Sequence, residues 1–395
     1  MLHKNMLKYL FKKYENKLFY FDFTSISFNP NLTIGLLQNF QNADWNWGSY
    51  CGISSNLSIK MEWIDAFPNQ QWNWSQGISS NKSITFEWVE KFPYANWHWG
   101  SNGLSSNPNL SIEWIEKNPT KNWCWGHFGI SSNTNLSIKF IERFPEKAWS
   151  FGSCGMSSNN SLYDLDKIIE KYPDQDWNWL SLSYNPNITI ELIEKFSDKP
   201  WCWKGISYNI CTTKEWIEKF PNKNWNWGDF GISSNHNLSI DWIEQYPDKA
   251  WNWSSISSNP NFQIEWIVKF PDKAWDFAKL SIHPNLKIEW IEKYPNKAWS
   301  FGRNGMSSNR NLSIKLIEKY PNKEWDWARI SSNPNITIDF IEKYITKIRF
   351  ASLSSNLFTY HNKLVKLILT KSKLYYYLNF SKKLPHDINR YITTF

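Results

Sequence analysis

No stretch of this chain approaches the roughly 18 consecutive apolar residues that a membrane-spanning helix needs, which argues against a membrane span. The first twenty residues scatter Lys4, Lys8, Lys12, Lys13 and Lys17 among apolar positions, so no secretory signal with a clean apolar core is expected. Cysteine is scarce. Cys51, Cys124, Cys154, Cys202 and Cys211 are odd in number and lack framework spacing, which excludes a disulfide scaffold and fits a reducing, cytoplasmic-type compartment. The seven histidines (His3, His98, His127, His236, His283, His361, His386) stand singly, without metal-ligand spacing. No Walker loop, dinucleotide fingerprint or nucleophile elbow occurs. Gly100-Ser101-Asn102-Gly103 is a turn with no Lys-Ser/Thr after it. The carboxylates recur along helix surfaces, and no acid–base pair stands out among them. The chain therefore reads as a non-enzyme, with no catalytic residue, metal or cofactor expected. Valine occurs only at Val89, Val268 and Val365 while Ile, Asn, Lys, Phe and Tyr abound, a bias typical of an AT-rich genome.

What the chain has in excess is tryptophan, and all 28 fall into three slots of one repeat about 24–28 residues long. The first slot holds Trp45, Trp72, Trp97, Trp123, Trp149, Trp177, Trp201, Trp225, Trp251, Trp275, Trp299 and Trp325. The second lies two residues on, with Phe at Phe151, Phe277 and Phe301. The third precedes a proline or its equivalent by five residues, as in Trp63, Trp114, Trp242 and Trp290. A residue that returns once per repeat serves packing. Trp97, Trp123, Trp225, Trp251, Trp275 and Trp299 are therefore expected in the structural core, and the second-slot rings at a layer edge.

Residues 238–261 show the physics of one repeat. Ser239 suits a helix N-cap and Asp241 the first turn. Ile240, Ile243 and Tyr246, with Trp242, make an apolar stripe two turns long. Pro247 ends it. Acid–lysine pairs four apart, such as Glu87 with Lys91, Glu113 with Lys117, Glu191 with Lys195, Glu265 with Lys269 and Glu289 with Lys293, suit a solvated face. Asp248 offers a second N-cap before a short α- or 3₁₀-helix, and Ser257-Ser258-Asn259-Pro260-Asn261 is turn chemistry. Triplets such as Asn109-Leu110-Ser111 and Asn187-Ile188-Thr189 match glycosylation sequons but read more simply as a turn and a cap. Two turns of helix are unstable alone, so neighbouring repeats must bury the stripe. The expected fold is all-α: an elongated α-solenoid of about fourteen helix–turn–short helix repeats. Residues 1–20 would form a basic N-terminal cap, 21–356 the solenoid, and 357–395 a basic aromatic C-terminal cap or tail. The degenerate repeats at Phe21 to Asn31 and Ile348 to Asn356 would end the stack.

The run Asn259-Pro260-Asn261, with Ile288-Glu289-Trp290-Ile291-Glu292-Lys293-Tyr294-Pro295 and their copies, resembles the Trp- and Asn-rich repeat proteins of giant viruses of amoebae over roughly residues 21–350. That resemblance implies a viral source rather than a mechanism, and hence a host cytoplasm or virion. The repeat is also similar to the leucine-rich repeat variant, which implies alternating α- and 3₁₀-helices in a right-handed superhelix. Here Trp replaces that family's smaller aliphatics and no cysteine cluster precedes the array, so its metal-linked feature is not carried over.

Repeats come in two lengths. Short ones run Trp-x-Trp-x-x-Ile, as at Trp251 to Ile256, while long ones insert a glycine pair: Gly48 and Gly52, Gly100 and Gly103, Gly126 and Gly129, Gly152 and Gly155, Gly228 and Gly231, Gly302 and Gly305. Trp72 to Ile78 is intermediate. Insertions in a solenoid emerge on one face, often the binding face, and the consecutive long repeats from Trp45 to Met156 should stack theirs into a ridge. Its candidate binding residues are Tyr50, Asn102, His127, Phe128, Asp229, Phe230 and Arg303. The expected function is a scaffold for a protein partner. The alternative is nucleic-acid or glycan binding through exposed tryptophans and the basic tail. Residues 346–395 carry nine Lys or Arg against Asp387, whereas residues 21–345 hold 30 basic and 34 acidic side chains, which disfavours a basic groove along the array. A further alternative is an adaptor role through Leu384-Pro385-His386-Asp387-Ile388, which faintly resembles the opening of an F-box.

Overall fold

Between its recurring prolines this sequence can build only short helices. The first helix of a repeat is typically six residues, as in Met61–Ala66, Ile112–Lys117, Ile190–Lys195 and Ile240–Gln245. Each stops at an aromatic or asparagine residue before the proline or its equivalent, whose own N–H closes the last turn, as Tyr246 does onto the Trp242 carbonyl at 3.0 Å. In the computed structural model of the chain, residues 10–11, 22–48, 51–354 and 356 are described. Every regular element among the described residues is helical, in regularly spaced repeats, so the fold is an all-α solenoid. It divides into two compact bodies: a central one, residues 46–299, and a terminal one drawn from residues before 46 and from 300 onward. Among the described residues no helix is long and apolar enough to cross a membrane.

Helix starts depart from expectation. Ser239 makes no side-chain cap bond, nor do Thr33, Thr85, Ser137 and Thr213. Among the described first helices, Ser111, Thr189 and Thr337 accept from the backbone N–H three residues on. Two first helices even start after a lysine, at Lys60 and Lys287. Burial of one side therefore holds these helices, more than capping does: Trp242 and Ile243 are buried while Ile240 and Tyr246 are half-buried. Nor is Asp248 the second cap. Asn252 is, its Oδ1 accepting from the Ser255 N–H at 2.8 Å, and Asn178, Asp276 and Asp326 do the same in their repeats.

Repeat length sets the second element. Short repeats form a one-turn-and-a-half α-helix there, as in Trp179–Tyr184, Trp203–Tyr208, Trp253–Ser257 and Phe277–Ser281. Long repeats form a loop and a three-residue 3₁₀-helix, as in Leu104–Ser106, Ile130–Ser132 and Ile232–Ser234. The intermediate repeat forms a single π-turn, Trp74–Ile78. All three geometries deliver the same buried isoleucine, leucine or methionine and the same buried serine to the stack.

The two tryptophans of Trp-x-Trp divide their work. The first-slot indole N–H donates within its own repeat, to the carbonyl five residues back: Trp97 to Phe92, Trp123 to Asn118, Trp225 to Phe220, each at 2.9 Å. The second-slot ring reaches forward and meets the next first-slot ring edge to face, Trp99 on Trp123 and Trp203 on Trp225 with centroids 5.1 and 5.0 Å apart. Trp97, Trp123 and Trp225 are buried, as expected of the core, while Trp251, Trp275 and Trp299 are half-buried and share the layer edge with the second-slot rings. A lysine ammonium lies over many second-slot rings, 5.1 Å from Trp99 for Lys121 and 5.3 Å from Trp227 for Lys249. Each such contact is worth about 0.5–1 kcal/mol.

Between repeats runs a polar seam that turn chemistry does not reveal. The asparagine of Ser-Ser-Asn is buried. Its Nδ2 donates to backbone carbonyls of the preceding repeat, as Asn133 does to Ser105 and Asn107 at 3.0 and 2.9 Å. Its Oδ1 meanwhile accepts from the N–H two residues on, that of Asn135 at 2.7 Å. The first serine of the run forms a second rail: Ser105 Oγ donates to the Trp99 carbonyl and accepts from the Cys124 N–H of the next repeat. His283 takes the asparagine's place with Nε2 on the Asn259 carbonyl and Nδ1 accepting from the Asn285 N–H, which assigns the proton to Nε2.

In the terminal body the same seam joins the two ends of the array. Asn29 Nδ2 donates to the Ser354 and Asn356 carbonyls at 2.9 and 3.1 Å, and the Asp22 N–H donates to Ser354 Oγ at 2.9 Å. Helix Phe23–Phe28 thus stacks on helix Phe350–Ser354 as one repeat stacks on its predecessor. Neither degenerate repeat ends the stack, contrary to expectation.

Surface ion pairs also run between repeats. Lys195 pairs with Glu170 at 2.7 Å and Lys269 with Glu244, and Lys91 reaches Asp65. Of the expected pairs four apart, Glu113 with Lys117 forms, at 2.9 Å. The stack brings a helix of the preceding repeat beside each lysine, and its acid competes with the one on the same helix.

Candidate binding site

The glycine pairs of the long repeats frame exposed loops. The second glycine of each pair is obligatory: at Gly129 a Cβ would overlap the Cys124 carbonyl, and at Gly231 the Asn226 carbonyl. The first is permissive at Gly126, Gly152, Gly228 and Gly302, with Gly126 facing only the Ala148 carbonyl at 3.9 Å, but not at Gly48, where a Cβ would meet the Gln71 carbonyl. In three of these loops the residue immediately before the second glycine turns left-handed: Asn102 (φ 55°), Phe128 (φ 53°) and Phe230 (φ 49°). Asparagine tolerates that region; phenylalanine rarely occupies it.

Three consecutive loops do stack. The Asn102 N–H donates to the Phe128 carbonyl at 2.9 Å and the Phe128 N–H to the Cys154 carbonyl at 3.5 Å. His127 Nδ1 lies 3.2 Å from Ser150 Oγ in the next repeat, and Phe128 is 54% exposed. Asn102, His127 and Phe128 thus share one ridge.

Asp229 and Phe230 lie elsewhere in the central body, on a loop whose sequence neighbours in the array, Trp203–Tyr208 and Trp253–Ser257, are short-repeat helices. With no loop above or below, this one is held by side chains. Asn226 Nδ2 donates to the Asp229 carbonyl at 2.9 Å, and Asp229 Oδ1 accepts from the Phe230 N–H at 3.0 Å and from Ser255 Oγ at 2.8 Å. Phe230 is 62% exposed and its ring stands edge-on to Tyr208 with centroids 6.4 Å apart. Beside it opens a groove of about 450 Å³ lined by Tyr208, Asp229, Phe230, His236, Asn252, Ser254 and Lys279 among others. The spacing of long and short repeats was the available signal for this groove; the glycine pair alone put Asp229 and Phe230 on the ridge, where the structure does not place them.

Arg303 is exposed on its loop in the terminal body. Tyr50 lies outside the described residues, as do the Leu384-Pro385 segment and the basic tail. The sequon asparagines are engaged in the stack: Asn109 Nδ2 donates to the Lys82 and Ile84 carbonyls, and Asn187 Nδ2 to those of Asn160 and Leu162. The five cysteines are unpaired. Burial pushes the Cys211 thiol up, and its Sγ takes the donor role of the second asparagine, bonding the Pro186 carbonyl at 2.7 Å. Among the described residues no cluster of His, Cys, Asp or Glu could hold a metal ion. Burial likewise lowers the His283 pKa, against a smaller upward pull from its bond to the Asn259 carbonyl.

Comparison with known proteins finds no matching family, no matching curated protein and no matching solved structure.

Proposed function

We propose that the chain is a non-catalytic repeat scaffold that binds a protein partner through its glycine-flanked loops, with Phe128 and Phe230 as anchors. One observation carries the reading. Two phenylalanines more than half exposed occupy left-handed backbone that costs a bulky residue on the order of 1–2 kcal/mol. A fold that needed only the turn would use glycine or asparagine, as it does at Asn102. Exposed aromatics on a rigid frame are the usual carriers of interface energy. The resemblance to giant-virus repeat proteins and the unpaired cysteines support a virus-encoded protein working in a reducing compartment.

The test is capture of partners from lysate of the native host by full-length protein, by the Phe128→Gly/Phe230→Gly variant, and by protein lacking residues 357–395. Glycine keeps the backbone turn. A discrete protein retained by the truncated chain and lost with the two phenylalanines supports the scaffold. Capture that disappears with nuclease or with the tail overturns it in favour of nucleic-acid binding.

A further inference from the structure

Two other grooves in the central body, of about 580 and 600 Å³, are products of the repeat: each lies between a first-slot tryptophan and the lysines that cover second-slot rings, Lys273 with Lys297 and Lys121 with Lys147. The groove beside Phe230 has no such origin. It exists because a long-repeat loop stands between short repeats.

We infer that this groove binds a neutral sugar ring, such as the terminal pyranose of a glycan. Its volume is that of a small-ligand site. One wall is the exposed Phe230 ring, braced edge-on by Tyr208. A pyranose presents an apolar face of C–H bonds that packs on an aromatic face, and a rim of hydroxyls, each both donor and acceptor. The rest of the lining answers that rim with groups of both kinds. Asp229 is fixed through Oδ1, leaving Oδ2 to accept; Asn252 is fixed through its Oδ1, leaving Nδ2 to donate; Ser258, His236 and Lys279 complete the set. Two of these polar groups are positioned before any ligand arrives, which lowers the ordering cost of binding. The opposed charges of Asp229 and Lys279 leave the groove close to neutral, and Asp229 beside the aromatic wall repels a phosphate or sulfate. The inference shares Phe230 with the scaffold reading but is independent of Phe128.

The experiment is a printed array of neutral, sialylated and sulfated glycans, followed by saturation-transfer NMR with the methyl glycosides of glucose, galactose, mannose and N-acetylglucosamine. It compares wild type with Phe230→Gly, Asp229→Asn, Asp229→Ala and Phe128→Gly. Asp229→Asn keeps the Oδ1 bonds that hold the loop, so its folding is monitored by unchanged melting. The expected result is binding of at least one neutral terminal sugar, weakened about tenfold or more by Phe230→Gly and by either Asp229 substitution, and unchanged by Phe128→Gly. The inference is overturned if no neutral glycoside binds at millimolar concentration, if only sialylated or sulfated glycans bind, or if binding survives all the Phe230 and Asp229 changes. Sugar binding retained by Phe128→Gly while partner capture fails would separate this site from the scaffold reading.

Discussion

The ridge at Asn102, Phe128 and Cys154 and the solitary loop at Asp229-Phe230 are built from one frame, a glycine pair around a short exposed loop, and at Asn102, Phe128 and Phe230 the residue before the second glycine turns left-handed. They differ in what satisfies them. On the ridge, backbone bonds backbone from loop to loop. In both regions a side chain of the same repeat braces the loop, His98 and Cys124 on the ridge and Asn226 at the solitary loop, but at the solitary loop the bond to the next repeat is made by side chains, Ser255 Oγ to Asp229 Oδ1, and a groove opens beside it. Between these two regions, the neighbours of an insertion distinguish a continuous surface from an isolated lip over a groove.

The strongest way to break both regions is through the frame they share. Gly129→Ala and Gly231→Ala should each cost about 3 kcal/mol, because a carbonyl oxygen must move, whereas Gly126→Ala should be nearly neutral; urea unfolding of the three variants checks this. Next in size, Asn133→Ala beneath the ridge and Asn259→Ala beneath the groove should each cost about 2 kcal/mol, since each strands buried carbonyls. Equal losses would show that the asparagine rail runs indifferently under both regions. A much smaller loss at Asn259 would show that the groove admits water to it.

His283 sharpens the comparison through pH. Its folded pKa lies below the ordinary value of 6.5, so between the two values the unfolded chain binds more protons than the folded one. Stability from this site is complete above 6.5 and falls as pH drops below it. Melting at pH 7 and pH 5 should show a loss in wild type that is smaller in His283→Asn, which restores the rail's usual residue; equal losses would refute the neutral histidine. The smallest effect separates the two phenylalanines. Phe128→Gly should stabilise by about 0.5–1 kcal/mol by releasing the left-handed strain, while Phe230→Gly should be closer to neutral because it also loses the Tyr208 contact.

Much of this was legible in the sequence. The periodic tryptophans announce a helical stack, the prolines mark where helices end, and the glycine pairs mark the loops. The asparagine rail was not, because Asn-Pro-Asn reads locally as a turn and its partners are carbonyls about 25 residues away, which carry no side-chain signature. The same distance hid the ion pairs: Lys195 finds Glu170 in the preceding repeat although Glu191 lies four residues away on its own helix. Ser239 misled in the opposite way, as a good cap residue in a place where buried Trp242 and Ile243 already hold the helix. The candidate loops were legible from their glycines; the groove at Phe230 required knowing which neighbours carry no loop.

The bonds between Asn29 and the Ser354 and Asn356 carbonyls span 325 and 327 residues of sequence. Rungs such as those of Asn133 and Asn259 can form as soon as the next repeat leaves the ribosome, but this one has to wait for more than three hundred further residues. At 5–20 residues per second that is roughly 15–65 s, during which the first repeat has its helix but not its neighbour. The repeat at Phe23–Phe28 is thus finished long after it is made, and for that interval it is a part in need of a chaperone.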